Sequence, residues 1–225
     1  MCLFNILKQE DKELYIFLRD LALNNLRKNG IYELVNLYKN KGESKMSDTI
    51  KRLSRELVYK GTILDIYKDT MDVGNGKIEE WDYVAHRKGA ACVLPVLPDG
   101  KILMVRQYRN ALERDTLEVP AGARDSVNED TMLCAVRELE EETGYKSNKV
   151  SKLLSLRTTV AFCNEMVDVY LAEDLVPGKQ QLDDAEDIRV EAFELETLCD
   201  MIYQGVIQDA KTVAAILAYS NKIKK

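Results

Sequence analysis

Near the amino end, Leu14, Phe17, Leu18, Leu21 and Leu26 recur at helical spacing, and the run from Ile31 to Tyr38 continues it beyond Gly30. A pair of amphipathic helices is expected there. The polar stretch 40–48 breaks the periodicity and has linker composition, which sets a helical extension, residues 1–45, apart from a main domain over 46–225. Met46 leaves a second reading open, in which the first 45 residues only extend the start of the chain. From about residue 52 the pattern turns β-rich. Segments 56–66 and 81–86 flank the turn-forming run 73–77, as in a hairpin, giving a small β subdomain over about 50–88. Apolar runs 90–97 and 101–108 flank Pro98-Asp99-Gly100, the pattern of two buried strands joined by a tight turn. Strand signals return at 150–159 and 166–172, and helical spacing at 195–203 and 210–221. The order is strands, helix, strands, helices, with the larger fold over about 89–221.

A chain of 225 residues with 46% hydrophobic content can bury one full core. Its formal net charge of -6 argues against a protein built to grip a nucleic-acid backbone, although local arginines and a metal can still receive a small anion. The five cysteines are scattered without metal-ligand spacing and read as reduced residues of a cytoplasmic protein. No apolar run approaches the roughly 20 residues that span a bilayer, so neither membrane anchor nor export is expected. His86 is the sole histidine, which excludes mechanisms needing two imidazoles and suits a structural role at a strand end.

The densest chemistry lies between Gly122 and Gly144. Ser126 with Glu129, or Asn128 alone, can cap a helix expected over roughly 128–143, and Gly144 suits the left-handed position past its end. Met132, Ala135, Val136 and Leu139 form an apolar face for packing on a sheet. Glu138, Glu141 and Glu142 share another face, where like charges repel unless a cation binds between them or Arg137 pairs with Glu141. Mg²⁺, with Mn²⁺ as an alternative, suits such an oxygen-rich set.

This segment resembles the Nudix box. Arg137-Glu-Leu-Glu-Glu-Glu-Thr-Gly-Tyr145 fits each fixed position, and seven residues separate Glu129 from Arg137. Six residues rather than the family's five separate Gly122 from Glu129, a departure that touches the loop ahead of the helix. The resemblance implies an α/β/α Nudix sandwich around a mixed sheet, with a metal shell from Glu138, Glu141, Glu142 and the backbone carbonyl of Ala121. It also implies hydrolysis of a nucleoside diphosphate derivative into two phosphate monoesters. Relatives in this branch pair as homodimers through their N-terminal strands, so a homodimer is implied as well.

Val105–Arg109, Leu117–Gly122 and Asp209–Thr212 look like the ADP-ribose pyrophosphatase branch, which makes ADP-ribose the expected substrate. Arg106 and Arg109 are expected on one face of a strand, where either can contact phosphate or form an edge salt bridge. Glu118 is a candidate for holding substrate or the attacking water, and can equally be a surface strand residue. Val160 and Ala161 replace the Pro-Gly usual in this branch, so other nucleotide sugars such as GDP-mannose stay open. In the acidic loop 183–187, Glu186 is the expected general base acting beside Glu141, with Glu165 next. A non-enzymatic metabolite sensor on the same fold is the alternative of a different class; the intact Glu138, Glu141 and Glu142 set argues against it.

Overall fold

The computed structural model describes residues 50–182 and 186–224. The helical pair and linker expected before residue 50 lie outside the described residues. Two compact units divide the chain: Met1–Leu53 with Met71–Glu79, and Ser54–Thr70 with Glu80–Lys225. Of the first unit, the described part includes a turn in which Gly74 (φ 92), Asn75 (φ 56) and Gly76 (φ 73) take positive φ. The Lys77 carbonyl accepts from Val73 N–H at 3.0 Å, so the expected reversal over 73–77 is present.

Strands β1 (Lys51–Lys60), β2 (Leu64–Asp72) and β3 (Ile78–His86) form a sheet in the order β1-β2-β3. The sequence suggests one strand over 56–66, but the chain turns inside it. Gly61 N–H donates to the Leu64 carbonyl at 2.8 Å, and a Cβ on Gly61 would stand 2.6 Å from that oxygen. A single glycine thus converts one apolar run into two strands.

The core of the larger unit is built on β4 (Ala90–Pro95), β5 (Ile102–Arg109), β6 (Arg114–Glu118), β7 (Ala121–Ala123), β9 (Lys149–Arg157), β10 (Met166–Glu173) and β12 (Arg189–Phe193). One sheet has the order β7-β4-β10-β9 and another β12-β5-β6; short strands β8 (Tyr145–Lys146) and β11 (Val176–Pro177) pair separately. β4 and β10 run parallel, whereas the other pairs of these two sheets are antiparallel, so the architecture is mixed. The 98–100 turn forms as expected, with Gly100 at φ 88. Beyond it β4 and β5 meet at the Val96–Ile102 bridge and then enter different sheets.

Alternation along β4 explains the layering. Cys92 and Leu94 enter a core with Leu195 and Leu198 of α2 (Leu195–Tyr203) and Ala215 and Ile216 of α3 (Ala210–Ile223). Ala91 and Val93 enter a second core with Cys134, Ala135 and Leu139 of α1 (Thr131–Thr143). This is an α/β/α arrangement, with α1 on one side and α2 and α3 on the other. Leu139, Leu198 and Ile216 are fully buried, each contributing about 1.5–3 kcal/mol of burial.

α1 starts later than its sequence suggests. Asp130, with φ -64 and ψ 132, is the cap, and its carboxylate accepts from Met132 and Leu133 N–H. Glu129 is drawn off to Asp125 N–H (2.6 Å) and Arg137 (3.4 Å), while Ser126 Oγ accepts from Asn128 N–H, so neither caps the helix. Gly144 takes φ 73 as expected. The buried stripe is Cys134, Ala135, Glu138, Leu139, Glu142 and Thr143, whereas Met132 is 41% exposed. Two of the three glutamates therefore lie on the packing face and not opposite it.

Candidate active site

The site forms where β7 passes beneath α1. β7 pairs with β4, Gly122 opposite Ala91, and α1 lies against it so closely that a Cβ on Gly122 would stand 2.0 Å from Glu138 Oε1. Only glycine admits that carboxylate. Glu142 Oε2 accepts the Ala121 N–H at 2.9 Å, which sets the Ala121 backbone beside the cluster. Arg137 Nη1 donates to Glu138 Oε1 at 2.7 Å and to Glu141 Oε2 at 2.9 Å. Its Nη2 donates to the Ala123 carbonyl at 3.1 Å.

Burial pushes the Glu138 carboxyl up to about 7 against the pull of Arg137. Burial likewise pushes Glu142 up to about 8, with the Ala121 N–H opposing and the charges of Glu138 and Glu186 adding to the rise. Both groups gain by receiving a cation. Among the described residues no three His, Cys, Asp or Glu side chains converge on one metal position, because Arg137 holds Glu138 and Glu141 while Ala121 holds Glu142. The donor set nevertheless fits a hard divalent ion: carboxylate oxygens, two of them buried and under-compensated, beside a glycine that leaves room.

Arg106 and Arg109 do not share a face. β5 pairs without a register shift, so residues three apart point to opposite sides. Arg106 forms an ion pair with Glu191 of β12 at 2.5 Å, a cross-strand salt bridge on the face away from α1. Arg109 turns to the α1 side and grips Glu118 with Nε at 2.8 Å and Nη2 at 2.6 Å. Glu118 is only 2% exposed, which removes the surface reading. Lys211 Nζ donates to Glu118 Oε2 at 2.5 Å and to Asp209 Oδ2 at 2.9 Å. Burial alone would raise the Glu118 carboxyl, but Arg109, Lys211 and Thr116 outweigh it and hold it down to about 2.

Sequence reading quoted 209–212 only as a similarity and missed its work here. Asp209 caps α3 by accepting Thr212 N–H at 3.0 Å, and Thr212 Oγ1 accepts Val119 N–H at 3.0 Å, tying α3 to the strand end that leads into β7. An Asp preceding a helical run was the available signal.

Arg109, Lys211 and residues 121–123 line a cleft of about 610 Å³, together with His86, Glu165 and Phe162. His86 Nδ1 accepts Gly89 N–H at 2.9 Å, and Nε2 lies 3.6 Å from Glu165 Oε1, so the histidine buttresses the cleft wall. Glu165 Oε2 accepts from Thr158 at 2.8 Å. The segment with Val160 and Ala161 is pinned to β3, where Val84 N–H donates to Phe162 O at 2.7 Å. Val160 is 82% exposed. Of the acidic loop, 183–185 lie outside the described residues; Glu186 is described, and its charge is felt by Glu138 and Glu142.

Residues 85–216 match the model of the NUDIX domain. The chain is 38% identical over 168 residues, 74% of this chain and 90% of the relative, to an ADP-ribose pyrophosphatase of Bacillus subtilis (strain 168). It is 28% identical over 165 residues, 69% of this chain and 84% of the relative, to a GDP-mannose pyrophosphatase of Cronobacter sakazakii (strain ATCC BAA-894). A crystal structure of an ADP compounds hydrolase superposes with a TM-score of 0.72 at 21% identity, covering 80% of this chain and 97% of that one, a likeness of fold.

Proposed function

Because this chain belongs to the Nudix family and is a Nudix pyrophosphohydrolase, we propose that it hydrolyses the diphosphate linkage of ADP-ribose, giving AMP and ribose phosphate. The observation that carries the reading is the cleft in which Arg109 and Lys211 stand beside the 121–123 strand under Glu138 and Glu142. It offers cations for a diphosphate next to carboxylates that favour a positive partner.

Family members generally need a divalent metal, and Mg²⁺ is our choice here, with Mn²⁺ as a substitute. Glu138, Glu141 and Glu142, with Ala121, would hold it. Bound there, it would neutralise charge on the diphosphate and acidify water. Arg109 keeps Nη1 for a phosphate oxygen while Glu118, itself held by Lys211, fixes its Nε and Nη2. In hydrolysis the water oxygen joins one phosphorus, the bridging P–O bond breaks, and the water proton passes to Glu186 as general base. Arg106, committed to Glu191, has no part in this scheme.

A homodimer belongs to the same reading. All ten residues of β1 are exposed, Leu57, Val58 and Tyr59 among them, and Trp81 of β3 is 45% exposed. The exposed apolar side chains of β1 and β3 call for a partner surface, and a second copy supplies one. The four described cysteines are free, which supports a cytoplasmic setting. Among the described residues no helix is long and apolar enough to cross a membrane.

Phosphate-monoester release from ADP-ribose, GDP-mannose and other nucleotide sugars, with Mg²⁺ and with Mn²⁺, tests the proposal. ADP-ribose turned over with the highest kcat/KM supports it. GDP-mannose preferred would move the substrate, a reading favoured by the 28% identical relative and by Val160-Ala161. No turnover across the panel would overturn the reading in favour of a sensor.

A further inference from the structure

Two cavities of the larger unit share one wall. Arg109, Asp209 and Lys211 line both the cleft of about 610 Å³ and a neighbouring cavity of about 390 Å³, where Leu112, Arg114 and Val206 join them. Asp209 stands at this wall because it caps α3, and the cap engages only one of its oxygens. Oδ2 accepts Thr212 N–H at 3.0 Å, Thr212 Oγ1 at 2.6 Å and Lys211 Nζ at 2.9 Å. Among the described residues nothing donates to Oδ1. The side chain is 26% exposed, and the one buried side-chain polar atom without a partner is Nε2 of Gln107, so Oδ1 is open to solvent.

The other carboxylates of the two linings differ. Glu118 receives Arg109, Lys211 and Thr116 on its two oxygens. Glu165 Oε2 accepts from Thr158 at 2.8 Å, and its Oε1 faces His86 Nε2 at 3.6 Å. Asp209 alone keeps an oxygen that no protein group faces. A free carboxylate oxygen repels phosphate oxygens, which only accept, and selects a hydroxyl, which donates. Set between Arg109 and Lys211, it matches a phosphate whose neighbouring group carries hydroxyls, as in a sugar phosphate. On its β3 side the cleft is lined by Ile63, Leu64, Val84 and Phe162, an apolar and aromatic surface that suits a purine ring and leaves the Asp209 wall to the sugar.

We propose that Asp209 determines specificity for the sugar: Oδ1 accepts a hydroxyl of the terminal ribose while Arg109 Nη1 binds the adjoining phosphate. The proposal rests on ADP-ribose hydrolysis in this cleft. A hydrogen bond to a charged acceptor accounts for about 10–100-fold in affinity, and a substrate without the hydroxyl forfeits it.

The test measures AMP release by the full-length protein with Mg²⁺ from ADP-ribose and from the β-ethyl ester of ADP, which keeps the nucleoside and both phosphates but has no sugar hydroxyl beyond them. Wild type should prefer ADP-ribose at least tenfold in kcat/KM. Asp209→Ser retains an oxygen for the cap and has none left for the cleft, so the preference should fall about 10–100-fold. Any loss through Lys211 is common to both substrates and cancels in that ratio. Asp209→Asn keeps size and cap and replaces the charge, and should lower the preference in the same direction; it carries the test if Asp209→Ser does not fold. A preference that stays within about threefold of wild type in the folded variants overturns the proposal and leaves Asp209 a helix cap. A wild-type preference below tenfold overturns it too, because the hydroxyl is then not recognised. Wild type that releases no AMP from ADP-ribose removes the substrate reading and this proposal together, whereas turnover with an unshifted preference removes only the role of Asp209.

Discussion

Glu118 and Glu142 are almost equally buried, at 2% and 3% exposure, yet their surroundings drive them in opposite directions. Arg109, Lys211 and Thr116 satisfy Glu118 completely and hold it down to about 2. Glu142 has the Ala121 N–H, feels Glu138 and Glu186, and is pushed up to about 8. The first carboxylate is a fixed strut that aims two cations into the cleft. The second is poised for a cation that the protein itself does not supply. Burial alone says nothing about a carboxylate's task; the count of donors around it does.

The sharpest way to break this contrast is Glu142→Gln. Activity with ADP-ribose and Mg²⁺ is expected to fall about 10³-fold, while the melting temperature of the metal-free protein at neutral pH holds, because a carboxyl pushed up to about 8 is already largely protonated there and the amide replaces it without loss of charge. Activity kept, or a large drop in stability, would sink its assignment to the metal shell. Glu118→Gln should do the reverse on stability. Removing the shared partner of buried Lys211 and of Arg109 is expected to lower unfolding free energy by about 3–5 kcal/mol in urea titrations.

The pH dependence sharpens the same point. The folded Glu118 carboxyl lies at about 2, below its ordinary 4.5, so its contribution is present above the unfolded value and is lost as pH falls toward 2. The stability gap between wild type and Glu118→Gln should therefore narrow by about 3 kcal/mol between pH 5 and pH 2. A gap that stays constant would mean Glu118 is not the ionised strut described here.

The smallest effects belong to the two arginines of β5. Arg109→Ala should reduce kcat/KM with ADP-ribose about 10–100-fold, whereas Arg106→Ala should change it less than about threefold and cost under about 1 kcal/mol, as expected of a partly exposed ion pair. Equal losses at both positions would contradict the opposite-face geometry.

Much of this was legible in local pattern. The element order, the 98–100 turn, Gly144 at the end of α1 and the segments of α2 and α3 follow from periodicity and breakers, which act over a few residues. The glutamate cluster was visible for the same reason, since helical spacing alone gathers Glu138, Glu141 and Glu142. Where several local signals competed, sequence misjudged: Ser126, Asn128 and Asp130 are all of capping type, and the structure spends Ser126 on Asn128 N–H and Glu129 on Asp125 N–H and Arg137, leaving Asp130 to cap the helix. The opposite faces of Arg106 and Arg109 were also readable, since a period of two settles them once the strand is known to be unbroken.

What sequence could not supply is anything that depends on which strands become neighbours. The parallel pairing of β4 with β10, the separation of β4 from β5, and the meeting of Glu118 with Lys211, 93 residues apart, arise from tertiary packing. So does the difference between Glu118 and Glu142, because a carboxylate's proton affinity is set by the donors and the low-polarity surroundings that other segments bring to it. The chain by itself determined its helices, its turns and the residue types able to do the chemistry. Only the folded structure decided which buried charge is satisfied and which still awaits a cation, since long-range contacts, unlike periodicity, leave no mark within a short stretch of sequence.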